Sequence, residues 1–81
     1  MVKVMVSSFI LIQVNMGKAA DVAGAIRAIE GVLFAEIATG PYDIIAKASA
    51  ETMDDLGRLV VSQIEMVSGI TRTLTCPVIN L

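Results

Sequence analysis

Thr39-Gly40-Pro41-Tyr42-Asp43 is the stretch whose residue types could do chemistry. It lies between two apolar runs, Val32 to Ala38 and Ile44 to Ala48. Gly and Pro together break any regular element, so the stretch reads as the turn of a β-hairpin. If Thr39 pairs with Tyr42, Gly40 takes the first central position, which suits a II′-type connection. The turn carries the chain's single tyrosine and, just after it, an aspartate. A zwitterionic amino acid needs a carboxylate to receive its ammonium group and several neutral donors for its own carboxylate. Asp43 could supply the first. Backbone N–H groups of the Gly40 turn, with the hydroxyls of Thr39, Thr73 and Thr75, could supply the second. Both features also have plain readings. Turn aspartates bond nearby backbone amides, and threonine is at home in strands.

Other chemistry has little to stand on. The chain has no histidine and a single cysteine, Cys76, which leaves no zinc or copper site and no internal disulfide. Cys76 falls on an apolar face of its strand and reads as a small core residue. Glu36 and Lys47 share one strand face. They would serve either as an acid–base pair or, more simply, as a cross-strand charge pair. Gly24, Gly31 and Gly40 lack the spacing of a phosphate-cradling loop. No cofactor is implied. Six Lys and Arg against eight Asp and Glu give a net charge of −2, and the basic residues are scattered singly. Direct nucleic-acid binding is therefore not expected.

The elements that must position the turn follow from periodicity. Met5 to Val14 reads as a strand, with Val2 and Val4 as an extension. Ala19, Val22, Ile26 and Ile29 share one face of a helix from Lys18 to Ile29, stopped by Gly31. Val32–Thr39 and Tyr42–Ser49 are the hairpin strands. Pairing Thr39 with Tyr42 sets Ile37 opposite Ile44, Ala35 opposite Ala46 and Leu33 opposite Ala48. Thr52 then caps a second helix running to Val67, with Leu56, Val60, Ile64 and Val67 as its buried stripe and Asp54 and Asp55 in its first turn. The last strand is Ile70 to Ile79, with Thr71, Thr73 and Thr75 on one face and Ile70, Leu74, Cys76 and Val78 on the other. Pro77 weakens it or marks an edge.

The order is β-α-β-β-α-β. The segment Ile29-Glu30-Gly31-Val32 is echoed by Val67-Ser68-Gly69-Ile70, so two β-α-β halves meet at the hairpin. That is the ferredoxin-like arrangement, an α+β fold with both helices on one face of a four-stranded antiparallel sheet. Eighty-one residues make one domain, 1–81. Ile10, Ile12 and Val14 would lie under the helices, and Phe9, Leu11, Val32, Phe34 and Ile45 on the opposite face. With 56% of residues hydrophobic and no third layer, that face needs a cover. A second copy, laid sheet against sheet, is the simplest one. The longest apolar runs, Phe9–Ile12 and Val32–Ala35, fall far short of the roughly 18–20 residues of a membrane span. No basic-then-apolar leader opens the sequence, and a cytoplasmic location is expected.

The run Phe9-Ile10-Leu11-Ile12-Gln13-Val14 with Gly17-Lys18, then Ile29-Glu30-Gly31-Val32, Thr39-Gly40-Pro41-Tyr42-Asp43-Ile44-Ile45-Ala46, Val67-Ser68-Gly69-Ile70 and Thr73-Leu74-Thr75 resembles the ligand-binding (RAM) domain of the Lrp/AsnC family. These are the feast/famine transcriptional regulators, and the resemblance runs from about Ser8 to Ile79. It implies an amino-acid effector, homodimers formed through the sheets, and dimers assembled into octamers or similar rings with the effector between dimers. It implicates Thr39, Gly40, Tyr42 and Asp43 at the turn, and Thr73 and Thr75 late in the domain. Full-length members also carry an N-terminal helix-turn-helix. The sequence begins at the first strand, so it resembles the stand-alone form, which would regulate by ligand sensing or by mixed assembly with a full-length paralogue. The effector expected is a small or apolar amino acid, and no catalysis is expected. Two other readings share the topology. One is a small dimeric α+β-barrel enzyme of the monooxygenase type, with Glu36, Lys47 or Tyr42 as its only candidate groups. The other is an ACT-like regulatory domain, which associates side by side.

Overall fold

The computed structural model describes residues 5–80; the expected strand extension at Val2 and Val4 lies outside them. The elements are β1 (Val6–Val14), α1 (Ala19–Arg27), β2 (Val32–Ile37), β3 (Ile44–Ala50), α2 (Met53–Leu59) and β4 (Ile70–Pro77). All strand pairs are antiparallel and the sheet order is β2-β3-β1-β4. This is the ferredoxin-like split arrangement, with β1 and β3 central and β2 and β4 at the edges.

Alternation along the strands builds the core. Ile10 and Ile12 of β1, Ala35 of β2, and Ile44, Ala46 and Ala48 of β3 are fully buried beneath Val22, Ala23 and Ile26 of α1 and Leu56 of α2. Each buried Ile contributes roughly 1.5–3 kcal/mol. The small side chains of Ala46 and Ala48 on β3 are fully buried and leave room for the helices to lie close to the sheet. α2 starts at Thr52, whose Oγ1 accepts the Asp55 N–H at 3.1 Å. It does not continue as one α-helix to Val67. After Leu59 the backbone widens into a π-helical turn, Val60–Ile64. Leu56, Val60 and Ile64 keep their place in the core, and Leu59 joins them. Val67 is half-buried against this cluster.

Three expectations about faces need correction. The β2–β3 register holds at Ile37–Ile44 and Ala35–Ala46, but a bulge between Val32 and Phe34 sets Val32, not Leu33, opposite Ala48. The extra residue turns Val32 in against the core and leaves Leu33 exposed. A second irregularity, at Gln13–Val14, brings Ile70 opposite Val14 and against the core, away from Leu74 and Cys76. Cys76 is exposed rather than buried. It pairs with Phe9 on the side of the sheet away from the helices.

That open side carries Phe9, Leu11, Phe34, Ile45, Leu74 and Cys76. The Phe9 and Phe34 rings lie 6.4 Å apart, and the Lys47 ammonium stands 5.3 Å over the Phe9 ring. Phe9, Phe34, Ile45 and Leu74 are each exposed by 36–39%.

Gly31 fixes the start of β2. Its φ of +97° is a conformation that costs a side-chain-bearing residue, and an added Cβ would lie 2.8 Å from Leu59 Cδ2 and 3.2 Å from the Ser49 carbonyl oxygen. The Ser49 N–H in turn donates to the Gly31 carbonyl at 2.8 Å.

Candidate ligand-binding site

The β2–β3 connection is longer than a two-residue turn. Its last ladder bond runs from the Ala38 N–H to the Asp43 carbonyl at 2.9 Å, so residues 39–42 form the loop. Gly40 has φ +137°, which explains the glycine, although the loop is not the tight II′ connection expected. Thr39, Gly40 and Pro41 are exposed; Tyr42 and Asp43 are half-buried.

Three hydrogen bonds fasten this loop to the end of β1. The Asp43 N–H donates to the Ile12 carbonyl at 2.8 Å. The Val14 N–H donates to Asp43 Oδ2 at 2.9 Å. Gln13 Nε2 donates to the Pro41 carbonyl at 2.8 Å. Asp43 therefore bonds a backbone amide, as turn aspartates do. Yet that amide belongs to a strand 29 residues away, so the carboxylate braces the loop against the sheet. An ionised carboxylate offers about four acceptor sites, so this bond leaves capacity for a cationic group. Gln13 was not singled out from the sequence. Its signal was there: it is the one amide side chain within an apolar strand.

Thr73 and Thr75 lie on β4, opposite Ile12 and Ile10 respectively, on the helix side of the sheet. β1 separates them from the hairpin. Thr73 stands two strand spacings, roughly 10 Å, from the start of β3. Thr75 borders a cleft of about 150 Å³ between β4 and the second helix, with Pro77 beside it and Met53, Leu56, Gly57 and Val61 opposite. Within one chain, then, the structure brings together Thr39, Gly40, Tyr42 and Asp43, but it does not join Thr73 and Thr75 to them. Among the described residues no group of three or more His, Cys, Asp or Glu is arranged to hold a metal ion. Lys47, turned toward the Phe9 ring, and Glu36, opposite Ile45, belong to the open face and not to this loop.

The family model described as the Lrp/AsnC ligand binding domain matches residues 7–81. The chain belongs to the Lrp/AsnC family. Solved Lrp/AsnC-like structures share its fold. The hypothetical protein PHS023 from Pyrococcus horikoshii is 30% identical, with a TM-score of 0.86 over 94% of this chain and 92% of that one. E. coli AsnC is 23% identical, with a TM-score of 0.86 over 94% of this chain and 52% of AsnC. The transcriptional regulator NMB0573 from Neisseria meningitidis, solved as a complex with L-Met, is 19% identical, with a TM-score of 0.80 over 93% of this chain and 50% of that one. No curated protein sequence matches the chain. Among its described residues no helix is long and apolar enough to cross a membrane.

Proposed function

We propose that this chain is a cytoplasmic sensor of amino acids in the control of transcription, without catalysis of its own. The observation that carries this reading is the loop at residues 39–43, held to β1 by three hydrogen bonds and presenting a half-buried carboxylate. A braced acidic loop is pre-organised to receive an ammonium group, because little ordering remains for the ligand to impose. A small or apolar amino acid fits the largely uncharged surroundings, and the L-Met complex of a protein with this fold supports that class. Thr73 and Thr75 cannot complete the site within one chain. They complete it when a second subunit brings its β4 to the loop, so the ligand bridges copies. Homodimers join through the open apolar face, and dimers close into an octamer or similar ring. The bound effector shifts the population toward the assembly with the better-formed pocket. A full-length paralogue that shares the assembly would carry the signal to DNA.

Native mass spectrometry against a panel of natural amino acids tests the reading. One amino acid taken up per inter-dimer site is the expected result, with affinity lost in Asp43→Asn, which keeps an acceptor for the Val14 N–H. A folded oligomer that binds no member of the panel would overturn it.

A further inference from the structure

The loop at residues 39–42 offers the main-chain N–H groups of Thr39, Gly40 and Tyr42, since Pro41 has none. Among the described residues none of these groups has a hydrogen-bond partner. Thr39 and Gly40 are exposed, so solvent reaches their amides; Tyr42 is half-buried. The direction of the Tyr42 N–H is set from outside the loop. The Pro41 carbonyl accepts from Gln13 Nε2 at 2.8 Å, across 28 residues of sequence. The Pro41–Tyr42 peptide is trans, so it is planar, with its C=O and N–H pointing in opposite directions. A carbonyl drawn toward β1 therefore turns the Tyr42 N–H away from β1. The next amide does the reverse: the Asp43 N–H donates to the Ile12 carbonyl of β1 at 2.8 Å. Of these two consecutive amides, only that of Tyr42 is left for a ligand.

We infer that Gln13 is a positioning residue of the effector site: its amide selects the orientation of the Pro41–Tyr42 peptide that offers the ligand's carboxylate an N–H. The inference rests on the reading of this loop as an effector site. Turned over, the same peptide would present a carbonyl oxygen, which repels a carboxylate. In the orientation observed, the Tyr42 N–H and the Asp43 carboxylate stand on adjacent residues. They are the donor and the acceptor that a zwitterion needs. Gln13 suits this role in two ways. The Pro41 carbonyl can only accept, so the side chain that holds it must donate, and a glutamine donates without charge. A lysine would also donate, but would set a second cation beside the ligand's ammonium. Gln13 is also placed by the sheet and not by the loop, because it lies on a central strand and pairs with Arg72 of β4. A group fixed on a strand holds a loop more exactly than the loop holds itself.

The test joins residue-resolved amide exchange to calorimetry. Its probes are L-methionine, the amino acid in the NMB0573 complex, and L-methioninamide, which lacks only the carboxylate. In the ligand-free wild-type chain the Tyr42 amide should exchange about as fast as the Gly40 amide. Saturating L-methionine should slow it at least about tenfold, since a paired amide must open before it exchanges. Gln13→Glu replaces the donor with an acceptor of the same shape. The peptide should turn over, and the Tyr42 amide, now donating to the new carboxylate, should be slowed without ligand. The preference for L-methionine over its amide should fall at least about tenfold in Gln13→Glu, and about fivefold in Gln13→Met, which only removes the donor. The ratio is the readout because the added negative charge attracts the ammonium of both probes alike. A loop merely loosened by the substitution would weaken both probes together; an unchanged ratio would overturn the inference. So would a Tyr42 amide already protected in the ligand-free wild type. Should Gln13→Glu fail to fold, the ratio in Gln13→Met decides. Should the wild-type chain bind neither probe and no other amino acid, the effector reading falls. The Tyr42 exchange in Gln13→Glu then decides the orientation by itself: slowed exchange upholds the hold of Gln13 on the peptide, and unchanged exchange overturns it.

Discussion

The two edge strands, β2 and β4, occupy equivalent positions and are finished in opposite ways. β2 is closed. Ala38 and Asp43 form a hydrogen-bonded pair, so alternation turns the main chain of Ala35 away from β3 and toward solvent. Arg27, in the last turn of α1, covers that point: its Nε donates to the Ala35 carbonyl at 2.8 Å. The bulge at Leu33 twists the strand a few residues earlier. A capped carbonyl and a bulge are both devices that keep an edge from recruiting another strand. β4 has only Pro77, at its far end. α1 packs beside β2, whereas α2 lies over β1 and β3 and leaves a cleft above β4. The lesson is that edge protection here is selective. The chain covers one edge with an arginine and leaves threonines and an apolar cleft along the other.

The largest expected effect lies where β2 begins. Gly31→Val puts a branched side chain at φ +97° and drives its Cβ against Leu59 and the Ser49 carbonyl. Backbone strain and overpacking together should cost about 3 kcal/mol, read from equilibrium denaturation. β2 should also lose protection in amide exchange before β4 does. A cost below about 1 kcal/mol would mean that β2 is not locked at Gly31, and the contrast between the edges would weaken.

Asp43→Ala comes next. The carboxylate reaches from the β3 side to the Val14 N–H, at the point where the β1 register to β4 shifts. Removing it leaves a part-buried amide without its partner, at a cost of about 1.5 kcal/mol. An alanine here therefore disturbs the fold as well as any ligand, and Asp43→Asn isolates the charge. If Asp43→Ala proves as stable as wild type in urea, the bracing role is wrong and the carboxylate is free for ligand alone.

Arg27→Met acts on the closed edge itself. The methionine keeps the apolar stem and removes the guanidinium, so the Ala35 carbonyl loses its donor, for about 1 kcal/mol. The more telling readout is light scattering. Opening the β2 edge should raise concentration-dependent association. No change in association would show that the bulge alone protects β2.

Much of this was legible in the sequence, and the misses have physical causes. Period-two and period-3.6 spacing identify each strand and helix, and the turn residues locate the hairpin. The parity of Thr73 and Thr75 against Leu74 and Cys76 was also readable. Which parity is covered was not, because a chain this apolar has two apolar sheet faces, and hydrophobicity alone cannot say which one meets the helices. On hydrophobicity alone Cys76 reads as a core residue, whereas the structure exposes it. The bulges at Leu33 and near Arg72 depend on how neighbouring strands twist, which no local spacing reports. Leu56, Val60 and Ile64 are spaced at four, compatible with an α-helix, so the wider π-helical turn leaves no mark on the pattern. The plain reading of Asp43, beside its ligand-binding one, bonds it to amides of its own turn, whereas the structure bonds it to the Val14 N–H. Its partner, Val14, is near only once the sheet has formed.

The smallest effect carries the opposite sign and bears on the open edge. Gly57 sits inside α2, where glycine is less favourable than alanine by roughly 0.5–1 kcal/mol. Nothing lies within 4 Å of a Cβ built there, so neighbouring atoms of the same chain do not require the glycine. Gly57→Ala should therefore raise stability by about 0.5–1 kcal/mol in dilute solution, measured by denaturation. If alanine instead destabilises the dilute chain, the cleft is not empty in the isolated molecule and the two edges differ less than their geometry suggests.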